Sequence, residues 1–189
     1  MIRALSHADE APARPTTEAA AKIAGLLAAY GTGHGFLRFW RDDAGGTLAL
    51  LDGAAILDIP GVTDPEEWAA FVTMQPEIRA VRTSATAARA IAARAQPGAW
   101  GLAAGAVMMP GPLLTQPEQT PEPLSGREAY PLLTACFDRG VPPFDAWYAD
   151  VSHRMRRGLC RIVGFRDAAG APLACAMTTS ESPGAAVIG

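Results

Sequence analysis

The chain has 189 residues, enough for one large domain or two small ones. With 49% apolar and 19% charged residues it has the profile of a packed globular protein rather than a disordered one. A net charge of −3, with Lys22 the only lysine, gives no electrostatic basis for holding nucleic acid or an anionic membrane.

The predicted elements follow from the amino terminus. Ile2 to Leu5 is a short strand. Thr16 or Thr17 caps a helix from Glu18 to about Ala29, in which Ile23, Leu26 and Leu27 recur at helical spacing. Phe36 to Arg41 and Thr47 to Leu51 alternate as the arms of a hairpin around Asp43-Ala44-Gly45-Gly46. Asp52-Gly53 is a turn of the type I′ kind, and Ala54 to Ile59 is a third strand. Asp64 or Thr63 then caps a helix with Pro65 in its first position and Glu66 and Glu67 at the positive end of its dipole. Ile78 to Arg82 is a strand, Ser84 to Ala95 a helix, and the apolar, glycine-interrupted stretch Ala99 to Met109 one or two strands.

Five prolines between Pro110 and Pro123, without apolar periodicity, mark a linker. Beyond it, Pro131 to Phe137 is a short helix that Pro131 opens, and Asp145 caps a second, Ala146 to Arg157, ending at Gly158. Leu159 to Phe165 and Pro172 to Thr179 are strands joined by the Asp167–Gly170 turn, and Ser182-Pro183-Gly184 turns the chain into a last strand, Ala185 to Gly189. The expected class is therefore α+β, with mostly antiparallel sheets and flanking helices. The division is residues 1–110, a linker at 111–123, and 124–189. An apolar strand ending at Gly189 would leave an unprotected sheet edge, so the second part reads as an incomplete domain.

Cys136, Cys160 and Cys175 are odd in number and lack CxxC spacing, which predicts buried free thiols rather than a disulfide framework or a zinc site. His7, His34 and His153 have no metal-ligand spacing. The apolar run at Met1–His7 is too short for a signal peptide, and Ala19–Tyr30 is too short and too weakly apolar to span a bilayer, so the cytoplasm is the expected compartment.

The run Phe144-Asp145-Ala146-Trp147-Tyr148-Ala149-Asp150-Val151-Ser152-His153-Arg154-Met155-Arg156-Arg157-Gly158 resembles the second helix of the GNAT superfamily of N-acetyltransferases, in particular a bacterial group of two-part members. The opening Met1-Ile2-Arg3, the turn Ala29-Tyr30-Gly31-Thr32-Gly33, the Phe39-Trp40 strand and the Leu50-Leu51-Asp52-Gly53 turn are similar to that group as well. The resemblance implies a degenerate GNAT-like first unit and the opening half of a second one. It further implies acetyl-CoA as co-substrate, without a metal, and a small-molecule or peptide amine as acceptor. A homo-oligomer is compatible with it; nucleic acid and membrane are not expected partners. The family's Arg/Gln-x-x-Gly-x-Gly/Ala loop, whose N–H groups and helix N-terminus hold the cofactor pyrophosphate, is absent. After the third strand of the first unit stands the acidic Pro60-Gly61-Val62-Thr63-Asp64-Pro65-Glu66-Glu67 instead, which would repel a pyrophosphate. In the second unit the signature would begin after Gly189.

By the same resemblance Ala186, Val187, Ile188 and Gly189 would start the strand whose backbone N–H groups face the thioester and pantetheine; as plain sequence they are equally a core strand. Glu181 stands where a base for the acceptor amine could sit, or is a solvated carboxylate. Phe144, Trp147 and Tyr148 would border the acceptor, or are core aromatics at helical spacing. His153, Arg154, Arg156 and Arg157 stabilise a helix C-terminus or meet an anion. Two readings follow: an N-acetyltransferase acting on a primary amine, and a non-catalytic binding or scaffold protein built from GNAT-like units.

Overall fold

The computed structural model describes residues 1–7, 15–61, 64–108, 119–137, 140–182 and 185–188. The chain forms two compact units, Met1–Val107 and Met108–Gly189. Five helices and two mostly antiparallel sheets give a mixed α+β fold. Of the expected linker, 111–118 lies outside the described residues. Glu122–Pro123 does not belong to it but is a strand of the second sheet.

The first unit runs β1 (Arg3–Ala4), α1 (Glu18–Tyr30), β2 (Leu37–Arg41), β3 (Thr47–Leu51), β4 (Ala54–Asp58), α2 (Pro65–Thr73), β5 (Ala80–Arg82) and α3 (Ala85–Arg94). The strands lie in sheet order β1-β2-β3-β4-β5. The first four are antiparallel, and β5 joins β4 in parallel after the α2 crossover. Short-range chemistry fixes most ends. Thr17 caps α1 by accepting from the Ala20 N–H at 2.9 Å, Ser84 caps α3, and Asp64 accepts from the Glu66 N–H. Thr63 lies outside the described residues. Asp52 and Gly53, with φ of 48° and 82°, make the positive-φ pair that a type I′ turn demands between β3 and β4.

The sheet is packed on both faces. Leu48, Leu50, Ala55 and Leu57 meet Trp68, Ala69 and Val72 of α2 and Ala87 and Ile91 of α3. Leu37, Phe39 and Ala49 meet Ile23 and Leu27 of α1. Asp42 lies within this structure, 3% exposed. Its carboxylate accepts from the N–H groups of Ala44 (2.8 Å) and Gly46 (2.7 Å) and from the indole N–H of Trp68 (2.6 Å). In the first unit the stretch expected to be strand, Ala99 to Met109, departs from expectation: 99–108 hold no strand and 101–108 are exposed throughout, while Met109 lies outside the described residues. Alanines and glycines there bring too little side chain to hold a strand by packing.

The second unit runs β6 (Glu122–Pro123), α4 (Gly126–Cys136), α5 (Phe144–Arg156), β7 (Ile162–Arg166), β8 (Pro172–Ser182) and β9 (Ala185–Ile188), in sheet order β6-β7-β8-β9, all antiparallel. Its core is Leu124, Ala129, Val151, Cys160, Ile162 and Met177. Two helix starts differ from expectation. A capping box sets α4 five residues earlier: Ser125 accepts from the Glu128 N–H while Glu128 accepts from the Ser125 N–H. Pro131 is thus inside the helix, where it lacks the N–H that would bond back to Arg127. For α5, Pro143 stands at the cap with no side-chain bond, and Asp145 is in the first turn, where it serves the dipole instead. The Pro183-Gly184 part of the expected turn lies outside the described residues.

Replacing Trp68 by Phe keeps the ring in the core and leaves one oxygen of Asp42 without its donor. The expected cost is about 1–3 kcal/mol, read as a lower urea midpoint for the first unit. An unchanged midpoint would show that the two backbone donors satisfy the carboxylate alone.

Candidate functional site

The residues singled out in the second unit fall into two groups. The first is on β8 and β9. Their register pairs Ser182 with Ala185, Glu181 with Ala186, Ser180 with Val187 and Thr178 with Ile188. One extra residue, Thr179, therefore bulges from β8. Its carbonyl accepts from the Arg154 guanidinium, and its hydroxyl donates to the Val187 carbonyl at 3.3 Å. Arg154 also pairs with Asp150 one turn earlier on α5. Arg154 is thus a cross-tie from helix to bulge, with its side chain 13% exposed, while Arg156 and Arg157 are exposed. The i, i+4 spacing of Asp150 and Arg154 was the available sequence signal for the pair; nothing local announced the bulge it reaches.

Glu181 is the most engaged carboxylate of this group. Arg161 donates Nε to both of its oxygens (2.9 and 3.1 Å) and Nη2 to Oε2 (2.7 Å), and the Thr178 hydroxyl donates to Oε1 at 2.6 Å. The Arg161 guanidinium, and then the Thr178 hydroxyl, hold the Glu181 carboxyl below its ordinary range, and the same pair pushes Arg161 up. Glu181 is therefore a fixed anion with reduced basicity. Across from it, Ala186 and Ile188 of β9 are exposed, and Ala185 and Val187 half-buried. Gly189 lies outside the described residues.

The second group is aromatic. Phe144 and Tyr148 stack at 5.2 Å, and Tyr130 of α4 meets Phe144 edge-on at 5.1 Å and Trp147 at 5.2 Å. The Tyr130 hydroxyl donates to the Pro142 carbonyl at 2.9 Å. The Arg127 guanidinium lies 4.8 Å from the Tyr148 ring centre and 5.8 Å from that of Phe144. Trp147 leans on the core, so the core reading holds for it in part; Phe144 and Tyr148 are half-buried outside that cluster, beside Arg127. Gly126 packs closely against these rings: a Cβ there would stand 3.2 Å from Tyr148 and 3.4 Å from Trp147, so the rings would have to give by a few tenths of an ångström. A groove of about 240 Å³ runs beside Trp147 between Leu133, Phe137 and the 140–142 loop. Among the described residues no hydrogen bond or ring contact joins this aromatic group to Glu181. The aromatics lie toward the start of α5 and Arg154, which reaches the bulge, toward its end; the six steps from Tyr148 to Arg154 span about 9 Å.

No protein-family model, curated protein or solved structure matches this chain.

Among the described residues no group of three or more His, Cys, Asp and Glu side chains could hold a metal ion, and no helix is long and apolar enough to cross a membrane. In the first unit the N-terminus of α2 carries Asp64, Pro65, Glu66 and Glu67: Asp64 takes the Glu66 N–H, and the three carboxylates face the positive end of the dipole. The thiols differ from the expectation of uniform burial. Cys160 is buried and its thiol pushed up by desolvation, Cys175 is half-buried, and Cys136 is exposed at the end of α4.

Glu128 shows the largest effect of a hydrogen-bonded setting. The Ser125 hydroxyl, then the Ser125 N–H, then Arg166 at 2.8 Å lower its carboxyl from 4.5 to about 2. A carboxyl depressed in the folded state stabilises fully above its unfolded value and loses that contribution as pH falls through its folded value. The start of α4 should therefore loosen between pH 4.5 and about 2. Glu128→Gln should remove that step from the acid titration of helical ellipticity; a step of unchanged size in the variant would assign it to another group.

Proposed function

We propose that this chain is built from two units of the GNAT acetyltransferase type, and that the second serves transfer of an acetyl group from acetyl-CoA to a primary amine of a small molecule or peptide. What supports the reading is the order of elements. The second unit runs strand, two helices and three antiparallel strands, and the first runs strand, helix, three antiparallel strands, helix, parallel strand and helix. The local text of α5 carries the same resemblance. The cytoplasm is the proposed setting.

In this reaction the neutral amine nitrogen attacks the thioester carbonyl carbon. The carbon–sulfur bond breaks, and the thiolate of CoA leaves and is reprotonated by the proton the amine gives up. Backbone N–H groups of Ala186, Val187, Ile188 and Gly189 would stabilise the oxyanion, which is electrostatic work needing no side chain. Phe144, Trp147 and Tyr148 would border the acceptor. Glu181 is better suited to attracting an incoming ammonium than to removing its proton, because Arg161 keeps its carboxyl ionised and weakly basic.

Calorimetric titration with acetyl-CoA, followed by mass-spectrometric detection of acetylated amines, tests the proposal. Micromolar binding and turnover are the expected results, and Glu181→Ala should raise KM for the amine with little change in kcat. A fall in kcat at constant KM would restore Glu181 as the base. Absence of both binding and turnover would leave the second reading, a non-catalytic binding or scaffold protein. The acidic first turn of α2 and the fully engaged Glu181 favour that reading.

A further inference from the structure

The largest concavity of the first unit belongs to neither group above. It is a slot of about 770 Å³ along the outer edge of β5, the last strand of its sheet. Ala88, Ile91 and Ala92 of α3 line one side, Glu18 of α1 the other, and 99–107 supply the rest of the wall. The Ala80 N–H reaches the Gly53 carbonyl at 3.3 Å, and Ala80 and Arg82 pair with Ala54 and Ile56. In a parallel ladder alternate residues turn their N–H and C=O groups to the same side, so Ala80 and Arg82 face β4. The N–H and C=O of Val81 and the N–H of Thr83 then face the slot, and among the described residues no hydrogen bond takes them up. The Thr83 hydroxyl oxygen, in the same wall, is buried without a partner. The segment after α3 leaves this edge uncovered, since 100–108 make no backbone hydrogen bond to a described residue.

A row of outward N–H and C=O groups beside empty space is completed by the backbone of another extended chain. The room matches. A strand residue in a packed sheet takes about 160 Å³, from roughly 3.3 Å along the strand, 4.8 Å between strands and 10 Å between layers. The slot of about 770 Å³ therefore holds about five residues. Its two sides differ in chemistry. Val81 packs with the core under α2 and α3, whereas Arg82 pairs with Glu18 of α1. A residue opposite Val81 would meet Ile91, and the small Ala88 and Ala92 leave space for an aliphatic side chain. Its neighbours would turn toward Arg82. The charged groups lining the slot are Arg79 and Arg82 against one carboxylate, Glu18. Arg79 donates to the Asp52 carbonyl rather than to an acid, so the lining favours an acidic guest.

We propose that the slot binds an extended segment of a partner polypeptide, alternating aliphatic and acidic residues, which adds to the outer edge of β5. Backbone pairing with Val81 and Thr83 supplies affinity, and the aliphatic and basic sides of the slot select the sequence. None of these residues serves the transferase reading, so the two stand or fall separately.

Amide NMR spectra of the full chain, titrated with the capped peptide acetyl-Val-Glu-Val-Glu-Val-amide, test the proposal. On saturation the Val81 and Thr83 amides should shift and exchange with solvent about tenfold more slowly or beyond, while Ala80 and Arg82, already turned to β4, keep the protection they have. Two N-methylated versions of the peptide, each blocking one alternating set of its amides, should differ: the one blocking the set that faces β5 should bind about tenfold more weakly or worse. Acetyl-Val-Lys-Val-Lys-Val-amide should bind more weakly than the acidic peptide. Unmoved Val81 and Thr83 amides at millimolar peptide would overturn the proposal. So would equal binding of the two N-methylated versions, or tighter binding of the lysine peptide. Val81 and Thr83 amides already slowed without peptide, in a chain that light scattering finds dimeric, would overturn it too and give the edge to a second copy.

Discussion

The first unit depends on one buried carboxylate. Asp42 sits at the end of β2, where a charge without partners would be costly, and it is tolerated because three N–H donors converge on it. Two come from the hairpin turn it closes and the third from Trp68 of α2. One side chain thus fixes the turn and the helix to each other. The approach leaves no room at Gly46, where a Cβ would lie 2.5 Å from the indole nitrogen and 2.6 Å from the carboxylate. With Trp68 pinned, Ala69 and Val72 fall onto Leu48 and Leu57, and the chain leaves α2 positioned to lay β5 beside β4.

The second unit is tied together differently. Its core is smaller, and three arginines span its elements: Arg154 from α5 to the Thr179 bulge, Arg166 from β7 to Glu128 of α4, and Arg161 to Glu181 of β8. Ion pairs that remain partly open to solvent add little stability each. Leu124, Val151, Ile162 and Met177 therefore carry the stability, while the arginines set geometry. Gly164 shows how close the layers come. A Cβ on it would lie 2.2 Å from the Ala174 carbonyl and 2.4 Å from Leu124.

What could be read from the sequence was whatever is encoded locally. Thr17, Asp64 and Ser84 declare helix starts, and Asp52-Gly53 declares its turn, because each acts within three residues of itself. The start of α4 was equally local, yet Pro131 is the louder signal and drew the boundary away from the Ser125–Glu128 box. Segment 99–108 misled in the opposite sense: its pattern suits a strand, but a strand needs a partner edge, and pairing is a property of the whole sheet. At the candidate site, Glu181, Phe144, Trp147 and Tyr148 could be picked out by residue type and position. That Arg161 closes over Glu181, and that α5 holds the aromatics and Arg154 at opposite ends, depend on strand register and helix length that no short motif reveals.

The same local encoding constrains the chemistry. A phosphate-bearing cofactor is usually met by free N–H groups at a helix start. Here α1, α2, α4 and α5 each place an acid in the first turn: Glu18, Glu66 with Glu67, Glu128 and Asp145. Each stabilises its helix and at the same time repels an anion from that end. The first turn of α3 has no acid, but Ser84 already takes one of its N–H groups. Among the described helices, four starts therefore carry an acid and four have one N–H already taken by a side chain. Strand backbone is not limited in this way. A β strand can present N–H groups to a thioester carbonyl without a side chain, so under the proposed reaction the acyl group would be met by the backbone of β9 rather than by a helix start.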